Sequence, residues 1–342
     1  MQTFSKLVRR SALACLLAGL AGTALAQDLT KMKFTLDWRF EGPSAPFLLA
    51  KDKGYFAAEG LDVVIDSGAG SAGALTRVAT GAYDMAFADF NTLVEYNANN
   101  PDSKLQAVYM VYNFTPAAVV SLKKTGIAKP ADLIGKTLAA PVFDGGRKSF
   151  PAFAKANDLD PTKVTWQSVD PAIRETLLAR GEVQAITGFS FTSVLNLEAR
   201  GVKESDVAVM LYNKYGLDLY GNGIVVHPKF ASEHPKQVAG FLRAFNKALK
   251  ETIANPEAAI AYVKAKDGLV DVALETRRLK MAINDVVITP ETKAAGLGSV
   301  NDERLKRAIG QVVTAFGLKT TPEPASLFNA SYLSSAAERA IK

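Results

Sequence analysis

The chain is poor in the residues that most enzymes and metal sites are built from. It has one cysteine and two histidines in 342 residues. Cys15 lies inside an N-terminal apolar run, so the rest of the chain offers no disulfide, thiolate metal site or cysteine nucleophile. His227 and His234 each precede a proline, and neither has a Glu or Asp at the spacing a zinc site uses. G-x-S-x-G, H-E-x-x-H and the Walker loop are also missing. Ser121-Leu122-Lys123-Lys124 matches S-x-x-K, but at the end of a strand pattern rather than the start of a helix. These gaps predict a binding protein rather than an enzyme, with no metal and no cofactor.

Dense basic runs are lacking too. The formal net charge is +6, which at face value invites polyanions. Lys6, Arg9 and Arg10, however, precede the apolar run 11–26, which ends in Ala24-Leu25-Ala26, the charge, apolar core and small-residue pattern of a cleavable export signal. At 16 residues the run is short of the roughly 20 that a spanning helix needs. Removing 1–26 takes away three positive charges and no negative ones, leaving +3. Lys123-Lys124 and Arg277-Arg278 are isolated pairs, so no nucleic-acid partner is expected. The length itself, beyond the 250–300 residues at which single cores stop growing, calls for two domains.

Strand and helix patterns alternate along the chain, the signature of α/β architecture with largely parallel sheets. Strands are expected at 33–37, 61–65 and 84–88, with helices at 43–53 and 71–80. A second series has strands at 118–122, 137–140, 163–166 and 184–187. The last third is helix-rich, with apolar residues at helical spacing over 235–254, 273–284 and 302–316.

Four segments at strand ends carry candidate chemistry. Gly68-Ala69-Gly70-Ser71-Ala72-Gly73 is a literal G-x-G-x-x-G with Asp84 and Asp89 downstream. It reads either as a dinucleotide fingerprint or as a tight turn whose glycines permit close packing. The turn reading leads, because a strand and helix precede it, whereas such a fingerprint opens its domain. Asp37-Trp38-Arg39-Phe40-Glu41 sits at the carboxyl end of the first strand, where open α/β sheets bind ligands. An aromatic there can stack on a planar ligand while a carboxylate accepts its hydrogen bonds; capping of the core is the competing role. In Phe143-Asp144-Gly145-Gly146-Arg147 a cation opens a helix against the dipole, either exposed to solvent or poised for an anionic ligand group. Gly188-Phe189-Ser190-Phe191-Thr192 combines aromatic faces with hydroxyls.

Longer stretches carry a family likeness. Leu36-Asp37-Trp38, Leu48-Leu49-Ala50-Lys51-Asp52-Lys53-Gly54-Tyr55-Phe56, Glu59-Gly60-Leu61-Asp62-Val63 and Thr80-Gly81-Ala82-Tyr83-Asp84 resemble solute-binding proteins of ABC importers. The likeness is to the nitrate/sulfonate/taurine-type family that includes binders of thiamine pyrimidine precursors. The run 126–136 is similar to that family's entry into the second lobe, and Tyr220-Gly221-Asn222-Gly223-Ile224 to its return. The resemblance implies a type II periplasmic binding protein: two doubly wound α/β lobes joined by a two-strand hinge, the ligand between them. Lobe I would comprise 27–115 and 216–342, and lobe II 116–215.

It further implies an exported, periplasmic, monomeric protein that closes on a small planar nutrient and delivers it to an inner-membrane permease. The implied ligand-binding residues are Asp37, Trp38, Phe40, Asp89, Asn91, Thr115, Asp144, Gly145, Gly146, Arg147, Phe189, Ser190, Tyr220 and Asn222. Arg39-Phe40-Glu41-Gly42 and Asp144-Gly145-Gly146-Arg147 depart from the pyrimidine-precursor binders. The ligand therefore stays open between a pyrimidine, a larger planar ring, an aromatic carboxylate, and a sulfonate, taurine or nitrate. Two enzyme alternatives are a pyrimidine-synthase-like activity, which by resemblance relies on an active-site histidine and a cysteine-rich iron-binding segment, and an NAD-linked oxidoreductase using Gly68 to Gly73.

Overall fold

The computed structural model describes residues 29–341, so the expected export signal lies outside the described residues. The chain opens with β1 (Thr30–Thr35), α1 (Ala45–Asp52), β2 (Leu61–Asp66), α2 (Ser71–Ala79), β3 (Met85–Asp89), α3 (Phe90–Asn99) and β4 (Gln106–Met110). It then crosses to β5 (Ala117–Leu122), β6 (Thr137–Ala140), α4 (Gly145–Ala156), β7 (Thr165–Ser168), α5 (Arg174–Arg180), β8 (Ala185–Phe189), α6 (Ser190–Glu198) and β9 (Val207–Leu211). It returns through β10 (Asn222–Val226) to α7 (Pro235–Ala254), α8 (Pro256–Lys266), α9 (Val272–Ala282) and α10 (Asp302–Phe316).

Two five-stranded sheets result, ordered β2-β1-β3-β10-β4 and β7-β6-β8-β5-β9. They share one plan: three parallel strands in the order second-first-third, then an antiparallel strand, then an edge strand. The expectation of largely parallel sheets is refined accordingly. In each sheet the fourth strand, β10 or β5, is the one the chain enters directly from the other lobe. It therefore runs against its neighbours. The two connections, 111–116 and 212–221, contain no regular strand, yet backbone hydrogen bonds tie them to each other.

Burial follows sequence pattern. β2 alternates buried and exposed residues as a strand with one wet face should, whereas β5 and β10, central in their sheets, are buried throughout. Val238, Phe241, Leu242, Phe245 and Leu249 form one buried face of α7. That face meets the first sheet through a stack of rings: Phe47 lies 4.9 Å from Phe34, 5.3 Å from Phe87 and 4.4 Å from Phe245. The helix-rich last third is thus a cover for the first sheet. Because Phe47 is central to this stack and fully buried, Phe47→Ala is expected to cost about 3–5 kcal/mol, read as a lowered urea midpoint with an unchanged slope.

Candidate functional site

A pocket opens between the lobes at the carboxyl ends of their parallel strands. Leu36, Asp37 and Trp38 follow β1, Phe87 comes from β3, Asp144 and Gly145 follow β6, and Phe189 ends β8. Tyr112 from the first crossing and Phe191 and Thr192 from α6 complete its walls. The non-atom space inside it, open solvent at the mouth included, is ≈ 560 Å³.

The lobes touch around this pocket. Ala72 N donates to Phe143 O at 3.3 Å, and Thr192 Oγ1 to Glu41 Oε2 at 3.1 Å. The glycine turn makes the first contact possible: at Gly70, with φ +145°, a Cβ would fall 2.2 Å from Phe143 O. A Cβ on Gly68 would fall 2.3 Å from Leu36 O. Both positions of the G-x-G thus serve close backbone approach, one within a lobe and one between lobes.

Asp37 is the best-supported polar group of the pocket. Ser71 Oγ and Asn222 Nδ2 both donate to its Oδ2, at 2.9 and 2.7 Å. Its Oδ1 makes no hydrogen bond to the described residues. Burial raises its pKa to about 7; those two donors oppose the shift, and the neighbouring Asp89 and Asp144 charges add to it. Burial likewise raises Asp89 to about 6 against two bonds from Thr92. Asp144 is also raised by burial, with Arg174 opposing. Asp89 and Asp144 cap α3 and α4 in corresponding places of the two lobes.

Arg174 is the buried cation of the pocket, and sequence reading missed it. It opens α5 with 1% exposure and donates to Glu175 Oε1 from Nε and Nη2, at 2.9 and 2.6 Å. Nη1 reaches Asp144 Oδ2 at 3.4 Å, and the guanidinium lies 5.0 Å from the Trp38 ring centroid across the cleft. Gly188 makes room, because a Cβ there would stand 2.6 Å from Nη1. In sequence, Arg174-Glu175 is an ordinary charged pair at a helix start; the spacing of Gly188 to it carries no signal.

Arg147, expected to face a ligand anion, points elsewhere. Its backbone N–H is capped by Asp144 Oδ1 at 2.9 Å, which offsets the dipole penalty. Its side chain runs back to Ala140 O and Ser168 Oγ, both at 3.0 Å, and lies 4.8 Å from the Trp166 ring centroid. Of the other expected residues, Asp37, Trp38, Asp144, Gly145 and Phe189 line the pocket. Asn222, Asp89 and Asn91 stand behind it: Asn222 holds Asp37, and Asn91 Nδ2 bridges Asp89 Oδ2 and Tyr220 O. Gly146 is packed under Asp144 against Gly188. Thr115 and Ser190 line a separate groove at the crossings, Tyr220 bonds to Glu291, and Phe40 packs on the first core beneath Lys266. None of these four lines the pocket. Among the described residues, no group of three His, Cys, Asp or Glu is placed to hold a metal ion.

A family described as NMT1/THI5 like matches residues 42–259. Riboflavin-binding protein RibY of Chloroflexus aurantiacus is 29% identical over 63% of this chain and 60% of its own length. The 4-amino-5-hydroxymethyl-2-methylpyrimidine phosphate synthase of Schizosaccharomyces pombe is 23% identical over 66% of each chain. The chain therefore spans somewhat under two thirds of the length of these two relatives. The alkanesulfonate-binding protein SsuA from Xanthomonas axonopodis pv. citri superposes with a TM-score of 0.66 at 14% identity, covering 89% of this chain and 98% of that one. That match shows the fold: two α/β lobes of the periplasmic binding protein type.

Two outcomes test the site's energetics. Arg174→Ala leaves Glu175 buried and unpaired and is expected to destabilise by about 3–5 kcal/mol, whereas Arg147→Ala, partly exposed, costs about 1 kcal/mol or less; chemical denaturation separates the two. Because Asp37 and Asp89 keep protons in the folded state that an unfolded chain releases near pH 4, their contribution is fully present below that pH. It is lost as pH rises through about 6 and 7. Asp37→Asn should flatten this decline in Tm between pH 5 and 7.5.

Proposed function

Because the chain belongs to the NMT1/THI5-like family, we propose that it is a solute-binding protein of an ABC importer that captures a small planar aromatic or heterocyclic nutrient. Residues 1–26 direct export to the periplasm and are removed. Residues 27–115 with 216–342 form lobe I, 116–215 form lobe II, and the closed monomer docks on an inner-membrane permease.

The observation that carries the ligand class is the pairing of Trp38 with Asp37. Trp38, Tyr112, Phe189 and Phe191 supply flat apolar surface, and Asp37 Oδ1 supplies an acceptor for a ring N–H or amino group. Both guanidinium groups lining the pocket are engaged, Arg174 with Glu175 and Asp144, and Arg39 with Glu41 at 3.3 Å. A sulfonate, nitrate or aromatic carboxylate would have to break one of these pairs, which disfavours the anion reading. A riboflavin-type ring and an aminopyrimidine, the thiamine-precursor chemistry, both present donors on a flat edge.

Binding rather than catalysis is favoured by the histidines. His227 caps the short helix Pro228–Glu233 and His234 packs at a tilt against Phe230, both away from the pocket.

The test is a panel of riboflavin, an aminopyrimidine, an aromatic carboxylate and an alkanesulfonate, read by thermal shift and Trp38 emission. A ring ligand should stabilise the protein, and Asp37→Asn should weaken it by about 10- to 100-fold, as loss of a hydrogen bond to a charged group does. Since a donor favours ionised Asp37, affinity should rise from pH 5 to 7 and level off above. Failure of the whole panel sinks the reading, and preference for the sulfonate overturns the ligand class.

A further inference from the structure

The segments 111–116 and 212–221 carry the chain between the sheets, so a change in the angle between lobes must be absorbed in their backbone dihedrals. They are bound to each other: Val111 N and Tyr112 N donate to Asn222 O, Gly221 N to Tyr112 O, and Thr115 N to Leu219 O, all at 2.9–3.0 Å. They also approach so closely that a Cβ on Gly221 would lie 2.8 Å from Tyr112 Cβ.

One side chain from outside holds both. Arg304, in the first turn of α10 and 6% exposed, sends Nη1 to Asn113 Oδ1 at 3.1 Å and lies 4.3 Å from the Phe114 ring centroid, both in the first crossing. In the second crossing its Nε reaches Asp218 Oδ1 at 2.8 Å, Nη2 reaches Leu219 O at 3.4 Å, and the Tyr220 ring centroid is 4.1 Å away. Glu291 anchors this fork to the C-terminal helices, accepting from Arg304 Nη1 at 3.2 Å and from Tyr220 Oη at 2.7 Å. A planar guanidinium can bond these four acceptors and face two rings only when those groups keep one mutual arrangement. The arrangement recorded here is that of lobes in contact, with Ala72 N bonded to Phe143 O.

We propose that Arg304 is a hinge clamp that holds the two crossings in the closed register and so sets how readily the binding cleft opens. This rests on the solute-binding reading for its purpose, but not for its test. An opening rotation that moves residues 113–114 or 218–220 relative to α10 would break these charge-assisted bonds, at a point remote from the pocket. Lysine would keep the charge and lose the fork.

The experiment uses the ligand-free protein. Arg304→Lys is compared with the parent by small-angle scattering and by acrylamide quenching of Trp38 in a Trp166→Phe background. Trp38 is the reporter because Arg174 covers its ring only across a closed cleft. The expected result is a larger radius of gyration, stronger quenching, and an open population raised by about tenfold or more, as loss of one charged hydrogen bond does to a two-state equilibrium. A folded Arg304→Lys protein with unchanged scattering and quenching overturns the proposal. Should that variant fail to fold, Asp218→Asn and Phe114→Leu, which each remove one arm, decide it by the same two readouts: opening supports the clamp, and no change in either overturns it. None of these measurements needs a ligand, so failure of the ligand panel and failure of the clamp are distinguishable.

Discussion

A guanidinium group taken out of water must meet carboxylates and carbonyls in a matching plane, because an unpaired buried cation costs several kcal/mol. Three arginines impose that demand where parts of this molecule meet. Arg174 does so at the pocket, Arg304 at the crossings, and Arg278 at the back of the cleft. Arg278 is 1% exposed, bonds Glu275 at 2.9 and 3.0 Å, and reaches Phe191 O, Thr192 O and Asn196 Oδ1 in α6. Each is satisfied by groups drawn from more than one element, so each fixes a relation between elements that packing alone would leave adjustable.

The pocket inherits its character from this constraint. With its cations committed to Glu175, Asp144 and Glu41, the charge left over around the ligand space is carboxylate, and burial moves Asp37 and Asp89 toward neutrality. Such a site pairs flat aromatic walls with acceptors. The fold matches that of an alkanesulfonate-binding protein, while the two guanidinium groups lining this pocket are paired with carboxylates; fold by itself does not transmit ligand class.

The elements themselves were largely legible. The helices at 235–254 and 302–316 have the bounds that their apolar spacing predicts, and strand 137–140 is unchanged. That Asp37, Trp38, Asp144, Gly145 and Phe189 line the pocket was legible because they lie at the carboxyl edge of the strands, where α/β sheets form their crevice. Arg147 misled because a cation at a helix start looks purposeful, whereas the side chain is long enough to fold back onto Trp166. Arg174 was invisible because its burial depends on Gly188, on Asp144 and on Trp38 of the opposite lobe, none of them its neighbour in sequence.

Local sequence determined what short-range physics controls: alternation and periodicity, capped helix starts, glycines where backbones must come close, and a chain with one cysteine and two histidines. Tertiary structure alone decided which strand in each sheet runs backwards, which arginines line the pocket and which carboxylates are raised by burial. Those outcomes depend on groups tens to hundreds of residues apart sharing a low-dielectric space, where desolvation and pairing are settled together.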